Sequence, residues 1–523
     1  MENKYLNQIS RAASGRTELI RLGISALFIV AIWLIVGAMV PDSPNSILLV
    51  VAAVIGGYMA LNIGANDVAN NVGPAVGSKA ITIFWAIVIA AIFEAGGAII
   101  AGGDVVSTVK KGIIDPELIG NANQFIWLMM GALLAASIWL NLATYLGAPV
   151  STTHSIVGGV LGAGIAAGGL GVADWPQLGM IAASWVISPV IGGTIAAVTL
   201  YLLKRTITYK KDKLGAAERM MPIFVAFMGW AFSTYLILKG LKKLIKLDFL
   251  TASLLGLLIA GAIYLLMKNV VSRRVKTLSN DKASVISLFT VPLVFSAALL
   301  SFAHGANDVA NAIGPLAAIS DAVSTSAISA KAAIPLWVML IGAIGISLGL
   351  ALYGPKLIKV VGTEITELDQ MRAFCVALAA AVTVIIASQL GLPVSSTHVA
   401  VGAVFGVGFL REVIKSNYEG IVDDIRSHHA ENNHSEEDLE KFLVEFEEAD
   451  FEHKDQMIKS MKQNSMAADL EKKERKKLKK KHKEQLVRRS AVYKIAAAWV
   501  ITVPASGLMA AMFYYMLRGM LAT

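Results

Sequence analysis

Thirteen apolar stretches, each close to the length a helix needs to cross a bilayer, run along this 523-residue chain. They fall near 21–40, 46–62, 80–102, 124–147, 150–170, 178–203, 220–238, 249–267, 284–303, 333–354, 370–390, 393–410 and 491–517. Lipid offers no partner for an unpaired N–H or C=O, so apolar runs of about 20 residues cross it as helices. The charge balance agrees, with 16% of the residues charged against about a quarter in a soluble domain. That charge is unevenly placed: residues 411–490 hold eighteen Lys/Arg and nineteen Asp/Glu, leaving twenty-eight and eighteen for the rest of the chain. An ordinary soluble enzyme is excluded. A single cysteine, Cys375, excludes an intramolecular disulfide framework and a Cys-cluster metal site. The first stretch is too long for a cleaved signal peptide, and no small-residue cleavage pattern follows it.

The loops give the orientation. Arg11, Arg16 and Arg21 head the first stretch; Lys204, Arg205, Lys210, Lys211, Lys213 and Arg219 fill one loop, and Lys268, Arg273, Arg274, Lys276 and Lys282 another. Lys356, Lys359 and Arg372 mark a third, and the block Lys472–Arg489 a fourth. With a cytoplasmic N-terminus, alternation puts all of these inside, as the positive-inside rule requires. Lys239, Lys242, Lys243 and Lys246 fall outside on this count, as do Lys110 and Lys111. The expected location is the cell (inner or plasma) membrane, with the N-terminus and 411–490 cytoplasmic. The formal net charge of +9 thus belongs to membrane loops, and nucleic-acid binding has no aromatic platform or fold motif behind it.

The chain is a duplication. Gly64-Ala-Asn-Asp-Val-Ala-Asn-Asn-Val-Gly-Pro74 recurs as Gly305-Ala-Asn-Asp-Val-Ala-Asn-Ala-Ile-Gly-Pro315, identical at 9 of 11 positions. Gly147-Ala-Pro-Val-Ser-Thr-Thr-His154 recurs as Gly391-Leu-Pro-Val-Ser-Ser-Thr-His398. On the loop assignment, the helix starting at Ser151 runs outward and the one starting at Ser395 runs inward. The two halves are therefore inverted, an arrangement that places a transporter's site near the midplane between them. The expected fold class is an all-α polytopic membrane protein of two inverted-topology repeats with broken or re-entrant helices, about 12–13 transmembrane helices and a helical cytoplasmic insertion. Its expected division is 1–45 (N-terminal segment and extra span), 46–203 (first repeat), 204–283 (linking spans), 284–410 (second repeat), 411–490 (charged insertion) and 491–523 (last span).

Ionisable residues at membrane depth are costly and mark function. Asp67, Glu94 and Asp308 are the clear acidic cases, and the three histidines outside the charged block, His154, His304 and His398, lie in or beside the repeated motifs. In Asn66-Asp67-x-x-Asn70 and Asn307-Asp308-x-x-Asn311, flanking Gly and Gly-Pro are expected to break the helix and expose carbonyls. Carboxylate, amide and carbonyl oxygens suit a hard cation such as Na⁺; the carboxylates equally suit H⁺. Polar residues also serve simply to hydrogen-bond helices together, but two near-identical charged copies favour a site.

Pro-Val-Ser151-Thr152-Thr153-His154 and Pro-Val-Ser395-Ser396-Thr397-His398 read as capped helix N-termini. Their free N–H groups and positive dipole ends attract an anion, and two such ends could hold one oxyanion with six hydroxyls. Plain capping is the alternative for either copy alone. Glu94 lies mid-span between small residues and could relay protons or balance a cation, as could His154 and His398. When Trp85 is aligned with Trp337, Ile346 stands opposite Glu94. His304 has Ile63 at its matching position and is the weaker candidate for that reason.

At these residues the chain resembles the inorganic phosphate transporter (PiT) family, whose signature is the duplicated Gly-Ala-Asn-Asp-Val-Ala-Asn stretch. The resemblance covers residues 46–410 and the last span. It implies an inverted-repeat, twelve-span, homodimeric phosphate symporter driven by Na⁺ or H⁺, with no further cofactor and no enzymatic activity. It assigns Asn66, Asp67, Asn70, Asn307, Asp308 and Asn311 to cations, and Ser151, Thr152, Thr153, Ser395, Ser396 and Thr397 to phosphate. Glu94 matches a glutamate the family uses in transport. Ala377 stands where some Na⁺-coupled members carry a second one, which leaves the coupling ion open. The span at 21–40 and the position of the 411–490 block depart from the family pattern.

Within that block, acidic Glu419–Asp455 and basic Lys472–Arg489 suggest two charged helices, the second beside anionic lipid. A sulfate symporter of the same architecture is the nearest competing function, since sulfate suits the same donors. An acceptor beside the anion would favour phosphate, which can donate a hydrogen bond. An intramembrane phospholipid hydrolase using Ser, His and Asp is the competitor from another class. Symmetric pairs argue against it, because one active site needs a single asymmetric set of roles.

Overall fold

The computed structural model describes residues 15–40, 46–103, 112–240, 247–325, 327–328, 334–359, 367–390, 392, 394–431 and 489–521. The expected N-terminal cytoplasmic segment before residue 15 and most of the expected insertion, 432–488, lie outside the described residues. Among the described residues sixteen α-helices follow one another: α1 Gly15–Met39, α2 Ser46–Gly77, α3 Ile83–Ala101, α4 Ala122–Leu146, α5 Thr152–Gly168, α6 Trp175–Leu203, α7 Lys213–Gly240 and α8 Phe249–Val275. Then come α9 Lys282–Leu288, α10 Thr290–Asp308, α11 Ala310–Thr325, α12 Leu336–Tyr353, α13 Pro355–Lys359, α14 Gln370–Gln389, α15 Ser396–Glu431 and α16 Arg489–Leu521. Among the described residues no strand forms beyond one isolated bridge, Ile114 to Ala173.

Among the described residues, twelve helical segments are long and apolar enough to cross a membrane. The thirteenth apolar stretch, 150–170, is α5. Its 17 residues span about 25 Å at 1.5 Å per residue, short of a hydrocarbon core of about 30 Å. Its N-terminus lies inside the molecule, with Ser151, Thr152 and Thr153 all buried.

One expectation is overturned. Gly64 does not break the first motif's helix: α2 runs unbroken from Ser46 to Gly77, straight through the motif. In the second half only Val309 separates α10 from α11, and it keeps right-handed helical angles. The glycines serve close approach instead. A Cβ on Gly64 would lie 1.9 Å from the carbonyl oxygen of Ile346, and one on Gly305 would lie 2.1 Å from that of Glu94. Small residues let helix backbones touch where lipid supplies no hydrophobic drive between helices.

Those contacts are reciprocal between the halves. α2 crosses α12 at Gly64 and Gly349, as α10 crosses α3 at Gly305 and Gly97. Likewise α5 packs on α16 where Gly158 and Gly162 face the Val503 and Gly507 carbonyls, and α15 packs on α6 where Gly402 and Gly406 face those of Pro189 and Gly193. Each pair sits in a Gly-x-x-x-Gly spacing. In the hairpin α7–α8, α7 packs on α10 through Phe232 and Tyr235 against Phe302, and α8 is mostly exposed to what would be lipid. It is capped by Asp248, whose carboxyl is held below its usual range by the Thr251 hydroxyl and the Thr251 and Leu250 N–H groups.

Candidate functional site

The site is built where the N-termini of α5 and α15 meet between α2 and α10. Gly147, left-handed at φ 74°, stops α4, and the next three residues turn the chain into α5. Asn66 holds that turn. Its amide donates to Thr144 Oγ1 (3.0 Å) and the Ala148 carbonyl (3.3 Å) and accepts from the Val150 N–H (3.2 Å). Ser151 and Ser395 cap the two helices, each accepting from the histidine N–H three residues on, at 3.1 and 3.2 Å. The tips interlock, Thr153 Oγ1 donating to the Val394 carbonyl at 3.3 Å and Thr397 Oγ1 lying 3.3 Å from that of Val150.

Each Asn/Asp motif reaches across to the tip from the other half. Asn70 donates to Thr397 Oγ1 (2.8 Å), which donates to Asp67 Oδ1 (2.9 Å). Asn311 donates to Thr152 Oγ1 (3.1 Å) and Thr153 Oγ1 (3.2 Å), and Thr153 lies 3.4 Å from Asp308 Oδ1. Ser396 donates to Asp308 Oδ2 at 2.5 Å, and Asn307 donates to Asp308 Oδ1 (2.9 Å) and the Val394 carbonyl (3.1 Å). Four of the six hydroxyls, those of Thr152, Thr153, Ser396 and Thr397, thus touch the Asn/Asp motifs. The other two are spent on caps.

His304 stands at the centre of the carboxyls. Its Nε2 is 2.9 Å from Asp308 Oδ2 and 3.5 Å from Asp67 Oδ2, and its Nδ1 is 3.2 Å from Glu94 Oε2; all four side chains are fully buried. Glu94 Oε1 accepts from Asn71 at 2.7 Å. Asp67, His304 and Asp308 each offer a ligand atom within 4.8 Å of the others. Asn70 Oδ1, Asn71 Oδ1 and Asn307 Oδ1 are buried and accept no hydrogen bond, and Asp67 Oδ2 and Glu94 Oε2 face only the His304 nitrogens without a well-aligned bond. Unsatisfied buried oxygens beside three carboxyls and one imidazole suit a hard cation, which takes oxygen ligands.

The repeat makes His304 the weaker candidate, since its symmetry mate is Ile63, yet the departures from symmetry are themselves the signal of the site. Glu94 faces Gly305 as Ile346 faces Gly64, so the mate of Glu94 is Ile346, and that of Asn71 is Ala312. His304, Glu94 and Asn71 break the repeat pattern, and they are the three side chains gathered at one flank of the site. Ala377 is buried on α14. His154 and His398 stand outside the carboxyl cluster. Their rings lie 4.3 Å apart, His154 packed on Trp185 at 3.7 Å and His398 on Trp499 at 3.6 Å, centroid to centroid.

Residues 63–510 match the family model described as the phosphate transporter family. The chain belongs to that family. This makes it a multi-pass membrane transporter rather than an enzyme. A Helicobacter pylori protein named "Putative phosphate permease" is 50% identical over 523 residues, 98% of each chain. A Pyrococcus horikoshii relative with the same designation is 40% identical over 393 residues, 74% of this chain and 94% of its own. Among solved structures, one titled "The sodium-dependent phosphate transporter" aligns with a TM-score of 0.73 at 31% identity, covering 91% of this chain and 100% of that one.

Proposed function

We propose that this family member is a secondary symporter of inorganic phosphate driven by Na⁺. The observation that carries the reading is that Asp67 and Asp308 accept hydrogen bonds from Thr397 and Ser396 at the α15 tip, while Thr153 of the α5 tip lies 3.4 Å from Asp308. A cation on those carboxylates takes up their charge and releases Thr397, Ser396 and Thr153 to donate to an anion at the tips. The helix N-termini then supply free N–H groups and a favourable dipole end. Cation and anion are coupled because they compete for, or share, the same hydroxyls.

The adjacency of Asp67 and Asp308 to the tips also bears on the anion. Hydrogen phosphate can donate to a neighbouring carboxylate, whereas sulfate cannot, which favours phosphate. The sodium-dependent neighbour and the orphaned amide oxygens of Asn70, Asn71 and Asn307 favour Na⁺. Protons are the second reading for coupling, since His304 between three carboxyls offers several neighbouring proton positions. Asn66 and Asn307 act chiefly by fixing the loops before α5 and α15, and Asn70 and Asn311 by tying each motif to the opposite tip.

The reciprocal glycine contacts support inverted halves in alternating access, with α16 as the mate of α6; residues 491–523 would then complete the second repeat. The basic loops support a cytoplasmic 411–490, and a cytoplasmic N-terminus with α5 counted as a crossing. Uptake of labelled phosphate into proteoliposomes under separate Na⁺ and pH gradients, with sulfate as competitor, tests the reading. Phosphate accumulation driven by Na⁺ and resistant to sulfate is the expected result. Uptake indifferent to both gradients would rule out symport.

A further inference from the structure

A second cluster of charge lies far from the central carboxyls, at one end of the helix bundle. Lys204 ends α6, Lys282 begins α9, Arg372 lies in the first turn of α14, and Arg411 follows the apolar part of α15. Lys204 is in electrostatic range of Arg372, Lys282 and Arg411, with Asp369 as the acid facing it. Arg411 interacts with Arg372, Asp369 and Glu367. Four cations from four helices therefore share one locality with two acids among these interactions.

Two features show that the locality is organised. The guanidinium groups are oriented from one strand of backbone: Arg411 Nη1 donates to the Glu367 carbonyl at 2.6 Å, and Arg372 Nη1 points to the same oxygen at 3.5 Å. Arg372 Nε lies 3.4 Å from Asp369 Oδ2. Independently, Lys204–Thr208 form a π-helical turn, a rare conformation found frequently at functional sites. Tyr201 and Tyr209 flank the turn, Lys204 Nζ lying 5.8 Å from the Tyr209 ring centre and Arg205 donating to the Tyr201 hydroxyl at 3.3 Å. Tyrosines gather at the level of lipid headgroups. Like charges drawn together from distant parts of the chain repel, and a bound anion relieves that repulsion.

We propose that Lys204, Lys282, Arg372 and Arg411 form an accessory site for a phosphate group at the membrane edge. Arginine pairs suit such a group because their planar forks bond phosphate oxygens two at a time. The group could be the phosphodiester of an anionic lipid headgroup or inorganic phosphate outside the central site. Basic pockets between spans on the cytoplasmic side take lipid headgroups in this way, and the loop charges assign this end to the cytoplasm. The site stands independently of the transport reading, since none of its residues touches the Asn/Asp motifs.

The test uses the full chain in nanodiscs of phosphatidylcholine with and without phosphatidylglycerol. One arm measures phosphatidylglycerol retained by wild type, Lys204→Gln/Lys282→Gln and Arg372→Gln/Arg411→Gln. The other titrates inorganic phosphate in phosphatidylcholine discs and counts bound equivalents. Each neutralised charge should weaken the ligand about fivefold. Loss in the first arm identifies a lipid headgroup; loss of a phosphate equivalent in the second identifies free phosphate. Arg372→Lys/Arg411→Lys guards against misfolding, because it keeps the charge and should retain more ligand than the glutamine pair. Lys204→Gln/Lys282→Gln binding both probes like wild type would overturn the proposal.

Discussion

Replacing His304 by glutamine removes the one basic group facing Asp67, Glu94 and Asp308, at 3.5, 3.2 and 2.9 Å. At an effective dielectric constant of about 20, opposite unit charges about 3 Å apart attract by about 5 kcal/mol. Desolvation offsets part of that attraction in the intact cluster. Removing one partner leaves the remaining charges buried without compensation, which costs about 3–5 kcal/mol. His304→Gln should therefore destabilise the chain by that amount, measured by denaturant unfolding in detergent micelles. Glu94→Gln removes one of the stranded carboxyls, so in the His304→Gln background it should cost less than in wild type. A coupling energy of about 2–3 kcal/mol is expected from the double-mutant cycle. Added Na⁺ should narrow the His304→Gln deficit, because a cation replaces the lost positive charge among the same oxygens. If the two substitutions add to within about 0.5 kcal/mol and Na⁺ changes nothing, His304 does not organise the carboxyl cluster.

Three further outcomes follow from the same geometry. Gly64→Ala and Gly305→Ala each drive a Cβ into a backbone carbonyl, at 1.9 and 2.1 Å, so each should destabilise the fold by about 1–3 kcal/mol in thermal unfolding; wild-type melting of both would contradict the close crossing. Ser151→Ala and Ser395→Ala remove helix caps worth about 1 kcal/mol each, and should affect stability more than phosphate affinity. Thr397→Val should do the reverse, and equal effects in both assays would blur the division between capping and binding hydroxyls. Asp67→Asn and Asp308→Asn should each depress Na⁺-driven phosphate uptake and lower the Na⁺:phosphate ratio in proteoliposomes; unchanged ratios in both would contradict the carboxylate assignment.

Much of this was legible in the linear chain because lipid imposes a strong rule. Every span must satisfy its own backbone, so the twelve candidate crossings were visible as apolar stretches. Repetition made Asp67 and Asp308, and the two Ser/Thr tips, visible as pairs. Apolarity alone does not reveal that α5 is short and that Thr152 starts in the interior of the protein. Glycine and Gly-Pro signal a break in water, whereas between packed helices Gly64 and Gly305 allow close approach. Symmetry hides His304 for a related reason: His304, Glu94 and Asn71 act together where the repeat fails. Their convergence depends on α2, α3 and α10 crossing at one point, which the sequence spacing does not display.

The most direct test of the coupling between carboxylates and helix tips is equilibrium binding of phosphate to the purified full-length protein at increasing Na⁺, with choline holding ionic strength constant. Sharing of the Thr397 and Ser396 hydroxyls between carboxylates and anion predicts that phosphate affinity rises with Na⁺, and that Asp67→Asn/Asp308→Asn abolishes the rise. Phosphate affinity independent of Na⁺ in the wild-type protein would contradict the account.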